Sequence, residues 1–317
     1  MFICDKEKQQ IYVAHIEELK VLNRDRRERR QNLILREWNR QICKKDFLCS
    51  LRNRLGKLKP VSSPENCQKN SSKINPRNQF QSPNYFSEHR IAVYTCIIGA
   101  YDKFLEPKIK PDNIDYYAIT DQSLAVNSAW CLFDVSHIKK KQPSLSAIEQ
   151  NRWYKMHPHL LFPDYEYSIY LDGNITPMSD LTELINRIGP YPIATHCHYT
   201  RNCVYQEARV VLQLGKDTPE HIEKHLLFLQ EQGMPKDYGL ADCSVIARKH
   251  HDTFCISLME QWWKEFLLYS RRDQLSFPYV LFKNGLTIAN VATLGPNRVF
   301  NDALDITMHT QYEYLPI

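Results

Sequence analysis

No window of this 317-residue sequence approaches the roughly 18 consecutive apolar residues that a membrane-spanning helix needs. Its opening stretch, MFICDKEKQQ, lacks the apolar region of a secretory signal, so the expected location is the cytoplasm. Ten cysteines are present, but they form no C-x-x-C pair and no alternating Cys/His ligand spacing. Even the closest pairs, Cys43 with Cys49 and Cys197 with Cys203, read as reduced, half-buried residues rather than zinc ligands or a disulfide framework. Nucleophile and nucleotide signatures are missing too. The sequence has no G-x-S-x-G elbow, no P-loop and no G-x-G-x-x-G, which argues against the common hydrolases, the P-loop enzymes and the dinucleotide-dependent dehydrogenases. No base-reading module accompanies the basic residues, so no nucleic-acid partner is expected. There is no internal repeat.

What is present falls into three regions. A hydrophobic content of 43% in a chain of this length suffices for one sizeable core and a small appendage. Residues 1–59 read as a basic helical extension. Its apolar residues, among them Ile16, Leu19, Leu22, Leu33, Leu35 and Trp38, are too irregularly spaced for a coiled coil. Much of the net charge of +5 gathers here, in RDRRERRQ and LRNRLGKLKP. Such a stretch suits a solvated helix, self-association, or docking at the inner face of an anionic membrane. Residues 60–89 are rich in Ser, Asn, Gln and Pro and read as a linker. A folded domain follows over residues 90–317.

In that domain strands and helices alternate. RIAVYTCIIG is a nearly continuous apolar run, as in a strand buried on both faces. DYYAITD and AWCLFDV follow as short strands. Ser146 and Glu149 form an S-x-x-E capping box for a helix that Pro158 ends. Further strands are expected in YEYSIYL, PIATHCH and CSVIAR. Further helices are expected over 202–214, from Pro219 to Gly233, over 254–268, and from Asp273 to Gly285, with Pro278 tolerated only in a first turn. The pattern predicts an α/β fold with a largely parallel sheet flanked by helices. In such sheets ligands bind beyond the carboxyl ends of the strands.

Those strand ends carry polar groups. Gly99 lets the first strand turn sharply, Asp121 ends the second, and Asp172-Gly173-Asn174 ends the fourth. Each Asp alone is equally a turn former. Together, a carboxylate and an amide oxygen at alternate positions suit a hard cation such as Mn²⁺ or Mg²⁺ and the phosphates it bridges. Arg152 and Lys155 share a helix face and could clamp phosphates. His196 and His198 lie two apart on a strand, followed by Arg201. Glu207 sits among apolar neighbours, so it is either paired in the core or functional. Asp273 is either an N-cap or, with Gln274, an acid–amide pair aimed at a sugar or acceptor, with Arg271 and Arg272 beside it. Trp262 and Trp263 read as core ahead of a sugar-stacking platform.

The blocks NRWYKMHPHLLFPDYEYSIYLDGNI, HCHYTRNCVYQEA, CSVIARKH and WWKEFLLYSRRDQLSFPYV, in this order, resemble the glycosyltransferase-like domain of plant mucilage-related proteins and their bacterial relatives, over roughly residues 90–290. The resemblance implies a GT-A fold, Rossmann-like, that takes a nucleotide-sugar donor, with UDP-sugars foremost, and a glycan or lipid-linked glycan acceptor. It implies a donor site built from Thr95, Gly99, Tyr101, Asp121, Arg152, Lys155, Asp172, Gly173 and Asn174. It places Asp172 and Asn174 at the metal, with His309 as a late ligand, and His196, His198, Arg201 and Arg272 at the sugar or acceptor. Asp273-Gln274 is similar to the Asp-Gln of retaining transferases, and Glu207 or Asp273 would be the base of an inverting one. Asn174 departs from an Asp-x-Asp motif, which puts the metal in question more than the donor. Two other functions compete: a metal-dependent lipid amide hydrolase using His196, His198 and Asp172, and a non-catalytic nucleotide- or carbohydrate-binding module.

Overall fold

The computed structural model describes residues 90–99, 101–135, 145–198, 200–213, 216–295, 297–298 and 301–307. The expected basic extension and linker, and His309, lie outside them.

Strand β1 (Ile91–Ile97) is buried along its whole length. Its β-branched and aromatic side chains alternate between two cores. Ala92, Tyr94 and Cys96 face one side, and Ile91 and Val93 face the other. Strands β2 (Ile114–Thr120), β3 (Cys131–Leu132) and β4 (Tyr167–Leu171) run parallel to it, in the order β3-β2-β1-β4. Then the direction changes. β7 (Ala241–Lys249) pairs antiparallel to β4, and β6 (Ile193–Cys197) pairs antiparallel to β7 with a bulge between Ala194 and His196. A mostly parallel mixed sheet of six strands results. Because β7 is reversed, its first residues lie at the carboxyl end of β4. A separate two-stranded ribbon, β5 (Ile175–Pro177) with β8 (Leu304–Ile306), was not foreseen. Strands of three residues separated by well over a hundred leave no periodic trace in a sequence.

Helices cover both faces. Helix α1 (Ala147–Met156) starts at the expected capping box, with the Ser146 side chain accepting from the Glu149 N–H. A single turn, α2 (Pro158–Leu161), follows it. Helices α6 (Thr253–Leu268) and α7 (Asp273–Lys283) pack with α1 on one core, where Trp262 is fully buried and Trp263 partly so. The short α3 (Thr182–Asn186) joins the opposite core. Helices α4 (Val204–Gln213) and α5 (Pro219–Glu231) enclose a third with Leu275 and Tyr279 of α7. A last turn, α8 (Ile288–Val291), packs near β6. Pro278 is the sixth residue of α7, beyond the first turn in which it was expected. Burial of Leu275 to Leu281 on surrounding elements offsets the missing backbone hydrogen bond, each large apolar side chain contributing about 1.5–3 kcal/mol. Among the described residues the six cysteines are free thiols, and no helix is long and apolar enough to cross a membrane.

Candidate functional site

The parallel register brings the ends of β1, β2 and β4 to one edge of the sheet. Ile97 pairs with Thr120 and Thr95 with Leu171. Gly99 turns the chain after β1 at φ +74, a left-handed value that favours glycine. Its N–H donates to both carboxylate oxygens of Asp121, at 3.1 and 3.0 Å. The side chain of Gln122 donates to the carbonyl of Asp102 at 3.2 Å. Asp121 thus shapes the loop that carries Tyr101, which is 42% exposed. Thr95 is buried, and its hydroxyl has no hydrogen-bond partner.

The Asp172-Gly173-Asn174 turn sits against that loop. A Cβ on Gly173 would lie 2.9 Å from Ile97 Cγ1 and 3.1 Å from Asp102 Oδ2, so glycine is what allows the two segments to meet. The Asp172 N–H donates to the Ser244 carbonyl of β7 at 2.8 Å. Asn174 Nδ2 donates to the Thr307 carbonyl at 2.9 Å and the Thr307 N–H returns to the Asn174 carbonyl at 3.0 Å. The β5–β8 ribbon therefore fixes the amide. Asn174 Oδ1 is buried with no hydrogen-bond partner. An orphaned oxygen beside a carboxylate fits a divalent cation that takes its other ligands from a ligand's phosphates and water. Among the described residues no three His, Cys, Asp or Glu side chains form a metal-binding group, so these residues alone offer an incomplete shell.

Below this turn lies a buried charge core. Lys155 Nζ lies 2.6 Å from Asp273 Oδ2 and 3.7 Å from Asp172 Oδ1, over the ring of Tyr170 at 4.8 Å. Arg152 Nε faces the other oxygen of Asp273 at 3.0 Å. Burial works against ionised Asp273, but Arg152, Lys155 and Arg272 outweigh it and hold its carboxyl well below the usual carboxylate range. Lys155 is only 1% exposed, with its ammonium engaged by Asp273 and Asp172. It ties α1 to the tips of β4 and α7. Arg248 and Tyr94 fix that end of α1, donating to the Lys155 carbonyl at 2.6 and 3.0 Å.

The third part is the meeting of β6 and β7. His196 pairs with Asp242 across the strands, and its Nε2 lies 3.1 Å from Asn301 Nδ2. Asp242 is held by Arg298 Nε at 3.0 Å and by the Ser244 hydroxyl at 2.5 Å. His198 Nδ1 accepts from the backbone of Thr200 and Arg201. Burial pushes both histidines down to about 4. Arg201 pairs with Glu207, and His198 Nε2 lies 3.9 Å from the same carboxylate. Glu207 is therefore paired, and His198, Arg201 and Arg272 overcome its burial to keep its carboxyl low. Gln274 Nε2 donates to the Ala241 carbonyl at 2.9 Å, at the start of β7. Asp242, Ser244 and Arg298 were missed from sequence. Asp242 directly precedes the strand read as CSVIAR, and only the reversal of β7 makes its start part of the site.

The geometry defines an α/β protein with its site at the strand ends, a carboxylate–glycine–amide turn at its centre. The sequence matches the family described as TOD1/MUCI70, glycosyltransferase-like domain, over residues 63–294, and the chain belongs to that family. The match begins inside the stretch read as a linker. No curated protein matches the sequence significantly. Among solved structures, the chain is similar to the apo WbbM bifunctional glycosyltransferase (14% identity, 63% of this chain, 38% of that one, TM-score 0.42). It is also similar to apo mouse xyloside xylosyltransferase 1 (11% identity, 64% and 83% coverage, TM-score 0.38). A third is the galactosyltransferase LgtC with donor and acceptor sugar analogues (12% identity, 62% and 72% coverage, TM-score 0.34). None superposes closely enough to carry a function over to this chain.

Proposed function

We propose that the domain transfers a sugar from a nucleotide-sugar, a UDP-sugar foremost, to a glycan acceptor, with retention at the anomeric carbon. The observation that carries this reading is the Asp172-Gly173-Asn174 turn. It places a part-exposed carboxylate and an orphaned amide oxygen at the tip of β4, between the β1–β2 loop and the start of β7. Asp172 and Asn174 are the residues that would hold a Mn²⁺ or Mg²⁺ ion, which, when bound, neutralises a leaving diphosphate. The loop from Gly99 to Asp102, shaped by Asp121, is suited to the nucleoside. Arg152, less deeply buried than Lys155, is the one cation of its helix within reach of a phosphate.

The protonation pattern supports retention. An inverting transfer needs a base that accepts the acceptor's proton. Asp273 and Glu207 are the two candidates, and both are held ionised by paired cations, which makes them weak bases. In the retaining reaction the anomeric C–O bond to the diphosphate breaks, the acceptor oxygen bonds to the same face, and its proton passes to the departing phosphate oxygen. No observation favours the hydrolase, whose ligands His196, His198 and Asp172 are committed to separate partners.

Nucleotide release from UDP-, GDP-, CMP- and dTDP-sugars, with Mn²⁺ or with EDTA, tests the reading. Slow release from one donor, at least 100-fold weaker in Asp172→Ala, is expected. Absence of release and of nucleotide binding under both conditions would overturn it.

A further inference from the structure

Arg248 of β7 is 0% exposed, and among the described residues no carboxylate pairs with it. A buried cation without an anion is costly, so other groups must stabilise it. Its Nη1 donates to the Lys155 carbonyl at 2.6 Å and its Nη2 to the Tyr94 hydroxyl at 2.6 Å, with Met259 Sδ 3.5 Å from Nη1. The Tyr94 hydroxyl in turn shares its hydrogen between the carbonyls of Lys155, at 3.0 Å, and Tyr154, at 3.2 Å. Nε has no hydrogen-bond partner, so the end of α1, Tyr94 and Met259 orient the guanidinium. The sequence explains why these donors are needed. The last carbonyls of a helix lack intrahelical partners. The residue that would donate to Tyr154 is Pro158, which has no N–H. Tyr94 and Arg248 supply the missing donors, and the guanidinium lies at the negative end of the helix dipole.

Any helix could be capped in this way, but here the capped residue is Lys155. Its carbonyl is held by Arg248 and Tyr94, while its ammonium lies 2.6 Å from Asp273 Oδ2 and 3.7 Å from Asp172 Oδ1. The Tyr170 ring, 4.8 Å from that ammonium, packs edge-on against Tyr94, with centroids 5.3 Å apart. Both ends of Lys155 therefore rest on the Arg248–Tyr94 pair. Arg248 itself is remote from the turn. It pairs across the sheet with Ser168, well before Asp172, and at ~3.3 Å per residue the two positions are roughly 13 Å apart along β4. It cannot touch a ligand bound at the tip of β4 and can act there only through Lys155.

We infer that Arg248 is a positioning residue. Together with Tyr94 it sets where the Lys155 ammonium stands, and so holds the Asp172-Gly173-Asn174 turn and Asp273 in their binding arrangement. The inference takes the ligand of that turn from the glycosyltransferase reading of the β4 tip. It makes the carboxylate at one end of β4 depend on a buried cation beside the other.

The test is hydrogen exchange on the unliganded full chain, with UDP titrated in Mn²⁺ on the same samples, for wild type, Arg248→Met, Arg248→Lys and Tyr94→Phe. In Arg248→Met, exchange in residues 172–175 is expected to be at least about tenfold faster and UDP affinity at least about tenfold weaker, while exchange in α3, in the opposite core, stays within about twofold. Arg248→Lys keeps a cation and a donor and should stay within about threefold of wild type on both readouts. Tyr94→Phe keeps the bond from Arg248 to Lys155 and should lose about threefold on both. A cap that serves the helix end alone would speed exchange in residues 155–161 and leave residues 172–175 and UDP affinity at the wild-type level. That result overturns the inference, as does an Arg248→Lys variant no better than Arg248→Met. Should Arg248→Met fail to fold, Tyr94→Phe decides by the same readouts, and unchanged exchange in 172–175 overturns the inference. A wild type that binds no UDP overturns the transferase reading, and exchange in 172–175 then decides the positioning role by itself.

Discussion

Asp273 is the residue on which most of the site's charge converges. Both of its oxygens face buried cations, so Asp273→Asn leaves Lys155 and Arg152 with only the more distant, part-exposed Asp172. Removing one partner of such a buried set costs about 3–5 kcal/mol, and a urea melt of the variant should show a loss of that size. Asp172→Asn removes a more exposed carboxylate, and the same melt should move by less than about 1 kcal/mol while nucleotide binding is lost. Equal melts for the two would contradict the burial pattern. Gly173→Ala places a methyl against Ile97 and Asp102. Overpacking of this kind costs about 1–3 kcal/mol, and a weakened nucleotide affinity should accompany it. Asp172 was legible in the sequence because strand ends are where an α/β sheet presents polar groups. The burial of Lys155 was not: a lysine three residues from an arginine on a helix reads the same whether the face meets water or a carboxylate.

Element boundaries followed the sequence closely where a local chemical reason existed. The capping box of α1, the Thr218-Pro219 start of α5 and the apolar run of β1 all stand where expected. Strand direction had no such reason behind it. A buried run such as SVIAR satisfies either direction, and the reversal of β7 is what brings Asp242 to the site. Two glycines test how the elements are joined. Gly239 has φ +112, and a Cβ there would lie 2.3 Å from Ile288 Cγ2, just where its N–H bonds Asn202 before α4. Gly233, at φ +70, has open space. Gly233→Ala should cost about 1 kcal/mol of left-handed strain, and Gly239→Ala at least 3 kcal/mol. Thermal melts of the pair would check this, and a Gly239→Ala variant as stable as Gly233→Ala would contradict the packing of Ile288 of α8 against Gly239.

At the scale of the molecule, pH should matter more than salt to stability. His157, His196 and His225 are buried and pushed down to about 4, and His250 to about 3, by the cost of burying their charge. The unfolded chain takes up these protons near pH 6.5 and the folded one does not. Stability is therefore full above that value and declines as the pH falls towards 4, by up to about 1.4 kcal/mol per unit for each group. Ionised Asp273 adds a loss only below the carboxylate range. A melting temperature that changes little from pH 8 to 7 and falls steeply from pH 7 to 5, at roughly 2–4 °C per kcal/mol lost, is the expected profile. The fold class was legible at this scale from strand–helix alternation alone. The ribbon of β5 and β8 was not, since its pairing is set by chain segments too short and too distant to share a pattern.

The central claim is that the ends of β1, β2 and β4 hold a nucleoside diphosphate. Hydrogen exchange of the full chain, with and without UDP and Mn²⁺, tests it most directly. The account predicts slowed exchange in residues 98–102, 120–122 and 172–175, absent in Asp172→Ala. Protection confined to other segments, or no protection at a UDP concentration that saturates binding, would contradict it.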